Sequence, residues 1–359
     1  MAERQFSTRR KVAFLAIILF FSFLLFIVVG EIAFRIGGKY RSYSEVTFGT
    51  YRSLYECDGA NWLMLHRPNH VSQYQTVEYQ YEVKTNSLGL RDIEHSANKP
   101  DSVKRIIALG DSFTEGQGAP YDSTYPRFVE QNLNHHNLTD SIEMIVAGVL
   151  GSDPFHNYKL LEMELLKFHP DLVLLTVNSS DIKDYIARGG EERFLPNGRI
   201  NCNEAPWITD LYAISHLARF VVHDILDYDA TTLLSKPMLN RKAEEAMEAT
   251  RRKLDEYIEL GKQHNFELLV VIHPFSPHLI FDGKYEYQAM HHFIEKLEKD
   301  KIPYIDIMAY YRKNMKINMS TINTYFWLQD SHPNFKGYKL FAKGVTEKIV
   351  EMGVFKELD

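Results

Sequence analysis

Five short, largely apolar runs, at residues 106–109, 142–146, 171–177, 268–272 and 304–307, alternate with stretches of helical periodicity. The helical patterns cover residues 125–134, 157–168, 241–264, 287–299 and 335–352. Runs of four to seven residues suit buried strands, and helices between them are long enough to carry the chain back to the start of the next strand. Such alternation closes most readily as a parallel sheet covered by helices on both faces. The chain is therefore read as an α/β fold, a three-layer α/β/α sandwich over residues 101–359.

The spacing widens between residues 183 and 240, where Gly189-Gly190, Pro196-Asn197-Gly198 and Pro206 precede a helical pattern at 211–226. This stretch is expected to be an insertion over the sheet edge, a lid that shapes substrate choice. Upstream, residues 37–100 form a juxtamembrane region rich in Tyr and polar residues. Within it Val77, Tyr79, Tyr81 and Val83 alternate with Glu78, Gln80 and Glu82, the period of a half-buried strand. Asn86-Ser87-Leu88-Gly89 reads as a turn.

The N-terminus has a different character. Residues 1–11 carry Arg4, Arg9, Arg10 and Lys11, and residues 12–30 are apolar apart from Ser22. With Ile32-Ala33-Phe34 the run reaches the roughly 20 residues that a bilayer-spanning helix needs. No small-x-small cleavage site follows, so the segment 12–36 is expected to be an uncleaved anchor with residues 1–11 in the cytoplasm. The rest of the chain then lies on the periplasmic or extracellular side of the cytoplasmic membrane. There Cys57 and Cys202, the two cysteines of the 359 residues, could pair or remain thiols.

A net charge of −6 without a basic block speaks against nucleic acid as a partner. No metal is expected, because the histidines lack Cys partners and no His-Glu-x-x-His run occurs. No cofactor is expected either: neither a Gly-x-Gly-x-x-Gly after a strand nor a phosphate-binding loop is present. The absence of Gly-x-Ser-x-Gly disfavours the common α/β-hydrolase elbow.

What remains is Gly110-Asp111-Ser112-Phe113, placed directly after the run 106–109, and Asp330-Ser331-His332-Pro333-Asn334 near the C-terminus. A strand that breaks at Gly-Asp-Ser and enters a helix presents one serine at the carboxyl edge of the sheet. A serine, a histidine and an acid are the parts of a nucleophilic triad, whose order along the chain varies between folds.

These blocks resemble those of the SGNH/GDSL hydrolase superfamily, in a membrane-anchored form, over roughly residues 80–350. Ala147-Gly148-Val149-Leu150-Gly151-Ser152 resembles the family's second block, Gly337-Tyr338 follows its last, and Asn86–Arg91 resembles a lead-in of anchored members. The resemblance implies a flavodoxin-like parallel sheet, Ser112 as nucleophile, His332 as base and Asp330 as acid. It further implies an oxyanion hole from the N–H groups of Ser112 and Gly151 and a side chain of the third block. That block departs from Gly-x-Asn-Asp and reads Asn178-Ser179-Ser180-Asp181, so either Asn178 or Ser180 supplies the donor. The acid also departs, standing two residues before the histidine instead of three, with Asp306 as an alternative orienter. His273, after the fourth run, could line the pocket.

The implied activity is that of an envelope-anchored serine esterase acting on acyl or acetyl esters of a glycan or lipid. Two alternatives share the fold. One is an O-acyltransferase module for an envelope polysaccharide, with a membrane acyltransferase as partner. The other is a binding module on a decayed hydrolase.

Overall fold

The computed structural model describes residues 7–40, 65–136, 138–196, 199–203, 206–229, 232–280 and 285–356. They divide into two compact units, Met1–Glu56 with Glu204–Leu239, and Cys57–Asn203 with Asn240–Asp359.

The larger unit is built on five parallel strands: β3 (Val103–Gly110), β4 (Ser141–Gly148), β5 (Leu172–Val177), β6 (Glu267–Ile272) and β7 (Tyr304–Asp306). A separate antiparallel hairpin precedes them, β1 (Val71–Gln75) paired with β2 (Gln80–Lys84). The five strands lie in the order β4-β3-β5-β6-β7, every neighbouring pair parallel. This is the flavodoxin-like order, in which the chain reverses its direction across the sheet between β3 and β5. β5 is buried along its whole length, as are the last six residues of β3, which is why residues 106–109 and 172–177 are apolar apart from Thr176.

Right-handed crossovers place the helix Tyr125–His135 on one face of this sheet and the helices Pro154–Leu160, Lys236–His264 and Gln288–Lys299 on the other. The closing helix Phe335–Met352 joins the first face, where Phe341 stacks on Tyr125 at 4.3 Å between ring centroids. On the opposite face Tyr257 donates to the Pro154 carbonyl at 2.8 Å. The fold class expected from the alternating runs is the observed one.

Local differences have local causes. The helix expected at 157–168 starts at Pro154, because the Asp153 carboxylate caps the N–H groups of Phe155 and His156 at 3.0 Å. It runs on through a wide turn at Leu161–Leu165 and a tight one at Leu166–Phe168. Val77 is exposed at the hairpin turn, while Tyr79, just before β2, joins Tyr81 and Val83 of β2 in one buried cluster. The helices Ile307–Asn314 and Met319–Tyr325 and the strand β1 lack a counterpart in the sequence reading.

The smaller unit contains the helix Thr8–Gly37, with a mean hydropathy of 3.2 over its most apolar window. By length and composition it fits a single-pass membrane anchor, although a signal sequence meets the same criteria. Residues 204–239 belong to this unit and pack on that helix through Phe34 and Phe220, stacked at 4.6 Å. The helix expected at 211–226 is broken. Thr209–Ile214 ends at Ser215, which turns extended and caps the next helix, His216–Phe220, through Ala218 N at 3.0 Å. The Cys57–Cys202 pairing falls on Cys57, outside the described residues.

Candidate active site

Strand β3 ends in Gly110 because nothing larger fits there. A Cβ at that position would sit 1.7 Å from Thr176 Oγ1 and 2.2 Å from Thr114 Oγ1. Asp111 then caps the turn of helix Ser112–Glu115 by accepting from Phe113 N at 2.9 Å. Ser112 is thereby delivered at the carboxyl end of β3, beside the point where the sheet order reverses.

Its hydroxyl meets His332 Nε2 at 2.7 Å, and His332 Nδ1 meets Asp330 Oδ1 at 2.5 Å. The three residues thus form one hydrogen-bonded chain. The separation of two between acid and histidine is bridged by Ser331, whose φ of 69° lies in the left-handed region. That turn also lets Asp330 Oδ1 accept from His332 N at 3.3 Å. Asp306, the alternative orienter, instead caps the helix Ile307–Asn314 and accepts from Tyr285 Oη at 2.8 Å.

Three residues that sequence reasoning missed hold the acid. Asp330 Oδ2 accepts from Tyr79 Oη at 2.6 Å and from Gln117 Nε2 at 2.9 Å. The Glu78 carboxylate receives the backbone N–H groups of Leu328, Gln329 and Asp330 at 2.8–3.0 Å. Trp327 packs on Tyr79 with ring centroids 5.1 Å apart and donates Nε1–H to the Gly118 carbonyl at 2.8 Å. Partial burial acts to raise the Asp330 carboxyl, but the hydrogen bonds from His332, Tyr79 and Gln117 outweigh it and lower it to about 2. The same burial, reinforced by Asp330, pushes the Tyr79 phenol well above its ordinary value, so it stays a donor.

The second block forms a tight loop after β4. Gly148 lies so close to the serine helix that a Cβ would fall 2.0 Å from Glu115 N. Val149 N and Ser152 Oγ both donate to the Gly110 carbonyl, at 2.9 and 2.8 Å. Leu150 N donates to the buried Glu115 carboxylate at 2.7 Å, and Glu115 in turn meets His66 Nε2 at 2.9 Å. Arg188 donates to the Gly151 carbonyl. Gly151 itself has a φ of 69°.

In the third block, Asn178 follows β5 and Ser180 opens the helix Ser180–Arg188. Asn178 Nδ2 donates to Asp111 Oδ2 at 2.7 Å and faces His273 Nε2 at 3.2 Å. Its Oδ1 accepts from both Ser180 N and Ser180 Oγ at 2.7 Å, which fixes the amide orientation. Asn178, not Ser180, therefore touches the residue adjoining the serine. His273 is fully buried and lies against Phe113 at 4.0 Å between centroids, and Phe113 in turn lies 4.5 Å from His332. Burial, then the nearby His332, lowers His273 to about 3, so it is a neutral ring.

An ionised Asp330 only accepts hydrogen bonds, so His332 Nδ1 carries the proton and Nε2 presents its lone pair to Ser112. The arrangement can remove the proton from the serine hydroxyl.

Among solved structures the chain is similar to several, including these three. One, from Desulfitobacterium hafniense and described as lipolytic and of the G-D-S-L family, is 12% identical, covering 68% of this chain and 99% of that one, with a TM-score of 0.39. A lipase from a goat rumen metagenome is 13% identical over 70% of this chain and 98% of that one, with a TM-score of 0.42. An acetyl xylan esterase is 17% identical over 69% and 99%, again with a TM-score of 0.42. No family model and no curated protein matches the chain.

Proposed function

We propose that this chain is a serine esterase of SGNH/GDSL type, anchored in the cytoplasmic membrane by its N-terminal helix and acting outside it on acyl or acetyl esters of a glycan or lipid. The observation that carries the chemistry is the 2.7 Å contact between Ser112 Oγ and His332 Nε2, with Asp330 on the far nitrogen. Ser112 attacks the ester carbonyl as its proton passes to His332 Nε2, and Asp330 stabilises the imidazolium. The N–H groups of Ser112 and Gly151 receive the oxyanion; Asn178 Nδ2, whose two N–H groups face Asp111 and His273, gives up one of those contacts to serve as third donor, with Ser180 as the residue that orients it. His332 then protonates the leaving alcohol, and water, activated by the same nitrogen, releases the acyl group. Transfer to a sugar hydroxyl would use the same groups with a different acceptor.

The test is hydrolysis of a short-chain aryl acetate by the full-length chain in detergent. Ser112→Ala should abolish it, and a fluorophosphonate should label the wild type at Ser112 alone. An unchanged rate in Ser112→Ala, or a folded wild type that resists labelling, overturns the reading.

A further inference from the structure

The anchor helix and residues 206–229 meet at one level of the chain. The apolar run of residues 12–30, rising 1.5 Å per residue, spans about 28 Å, close to the hydrocarbon thickness of a bilayer. It ends at Gly30, and a Cβ there would lie 3.5 Å from Leu217 Cδ1. The next residue, Glu31, receives Ser215 Oγ at 2.8 Å, His216 N at 3.0 Å and Leu217 N at 2.9 Å, capping the helix His216–Phe220. Arg35 donates to the Ile214 carbonyl at 2.7 Å, and Lys39 pairs with Asp224 at 2.5 Å. The two short helices are thus fastened to the anchor where its apolar run stops.

Their own small core consists of Tyr212, Val222 and Leu233. Away from it, Trp207, Leu211, Ile214, Val221, Ile225 and Leu226 are exposed, Trp207 at 89% and Ile214 and Ile225 at 62% each. Leu211 and Ile214 stand one turn apart on the first helix, and Val221 and Ile225 one turn apart beyond the second. The only Lys or Arg between residues 206 and 229 is Arg219, which is buried and donates to the carbonyls of Tyr212, Ala213 and Tyr40.

From this geometry, and resting on the reading of Thr8–Gly37 as a membrane anchor, we infer that residues 206–226 lie in the outer membrane–water interface. Trp207 and the exposed aliphatic residues enter the boundary between headgroups and acyl chains. The occupant of this apolar surface is lipid, because the surface is continuous with the helix that enters the bilayer. Residues 206–226 bring no exposed Lys or Arg of their own, and the exposed Arg35 and Lys39 beside them are paired with Glu31 and Asp224, so insertion is driven by apolar burial and neutral and anionic lipids serve equally. The smaller unit is then held to the membrane by two elements, a spanning helix and an interfacial pair.

The full-length chain reconstituted in phosphatidylcholine vesicles tests this, with brominated acyl chains as quencher. The emission difference between wild type and Trp207→Phe isolates Trp207 from Trp62 and Trp327. It should fall by about half in brominated vesicles and be unchanged when phosphatidylglycerol is added. Ile225→Trp in the Trp207→Phe chain gives a second probe, which should be quenched likewise. Alkaline carbonate extraction reports separately on the anchor. A chain that resists extraction while both probes stay unquenched overturns the inference and leaves the anchor standing, the result expected if a protein covers this surface. A chain released by carbonate overturns both.

Discussion

Asp330 reaches His332 across a single residue, and it does so by contacting both the ring Nδ1 at 2.5 Å and the backbone N–H at 3.3 Å. The left-handed turn at Ser331 makes this double contact, and it sets the register of the imidazole against Ser112. A left-handed backbone costs an ordinary residue about 1–2 kcal/mol, less when its short polar side chain bonds locally. Ser331→Val should therefore uncouple the acid from the histidine, lowering kcat at least tenfold with KM little changed. Ser331→Gly should retain near-wild-type kcat. Steady-state kinetics on an aryl acetate separate the two.

The Asp330 carboxyl offers a stability measurement. Its value falls from 3.8 to about 2 in the folded chain, so the unfolded chain binds the proton more tightly. Its stabilisation is complete above about pH 4 and lost as pH falls through about 2. Because the group is partly exposed, the contribution is discounted for solvent screening to about 1–2 kcal/mol. Asp330→Asn should lose that much at pH 7 and nothing further between pH 4 and 2, as read by urea unfolding in detergent. Its kcat should fall by up to about ten-thousand-fold, since an amide no longer holds the histidine tautomer.

Tyr79 is the support that no sequence motif marks. Tyr79→Phe deletes one of the two donors to Asp330 Oδ2 and leaves the aromatic stack of the hairpin in place. The carboxyl should rise from about 2 toward its ordinary value of 3.8, and kcat should drop by about ten- to a hundredfold, the worth of one hydrogen bond to a charged group. A Tyr79→Phe enzyme with wild-type kcat and an unchanged acid unfolding curve would show that Gln117 alone holds the acid.

The sheet was legible because its strands are buried on both faces, so Ile106, Val173 or Leu269 carry the signal without regard to periodicity. Ser112 was legible only in combination: a Gly-Asp-Ser break after a buried strand reads by itself as a loop, and Asp330-Ser331-His332 downstream gives it a second meaning. The surroundings of Asp330 were not. Tyr79 lies 251 residues away along the chain, in a run whose alternation reads as ordinary core, and Glu78 reads as the solvent-facing residue beside it. The geometry of Ser331 was equally hidden, since left-handed turns are signalled by Gly or Asn and not by Ser. Residues 206–229 read as part of a lid because Gly and Pro mark a loop but carry no information about which element it packs on. Glu31, the residue that fixes this packing, looks in the sequence like the polar end of an apolar run.

The third block separates by chemistry. Asn178→Ala removes an amide that touches Asp111 beside the nucleophile, and should lower kcat by about a hundred- to a thousandfold with KM nearly constant. Ser180→Ala removes only one of two donors to Asn178 Oδ1, because Ser180 N keeps its own. Its loss should be about tenfold or less. Equal losses in the two variants would move the oxyanion contact from Asn178 to Ser180.

Gly151 tests the remaining donor of the proposed oxyanion hole. The nearest atom to a Cβ at this position is Arg188 Nη2 at 3.5 Å, an ordinary contact, so space does not exclude alanine. The backbone does, because φ is 69°, Leu150 and Ser152 on either side are pinned by Glu115 and Gly110, and Arg188 holds the Gly151 carbonyl. Gly151→Ala must either pay about 1–2 kcal/mol to keep the turn or rotate its N–H away. In the first case thermal unfolding shifts down and kcat is retained. In the second stability is spared and kcat falls by about a hundredfold, with KM unchanged, as a lost oxyanion donor requires. A variant that keeps both wild-type stability and wild-type kcat would remove Gly151 from the oxyanion hole.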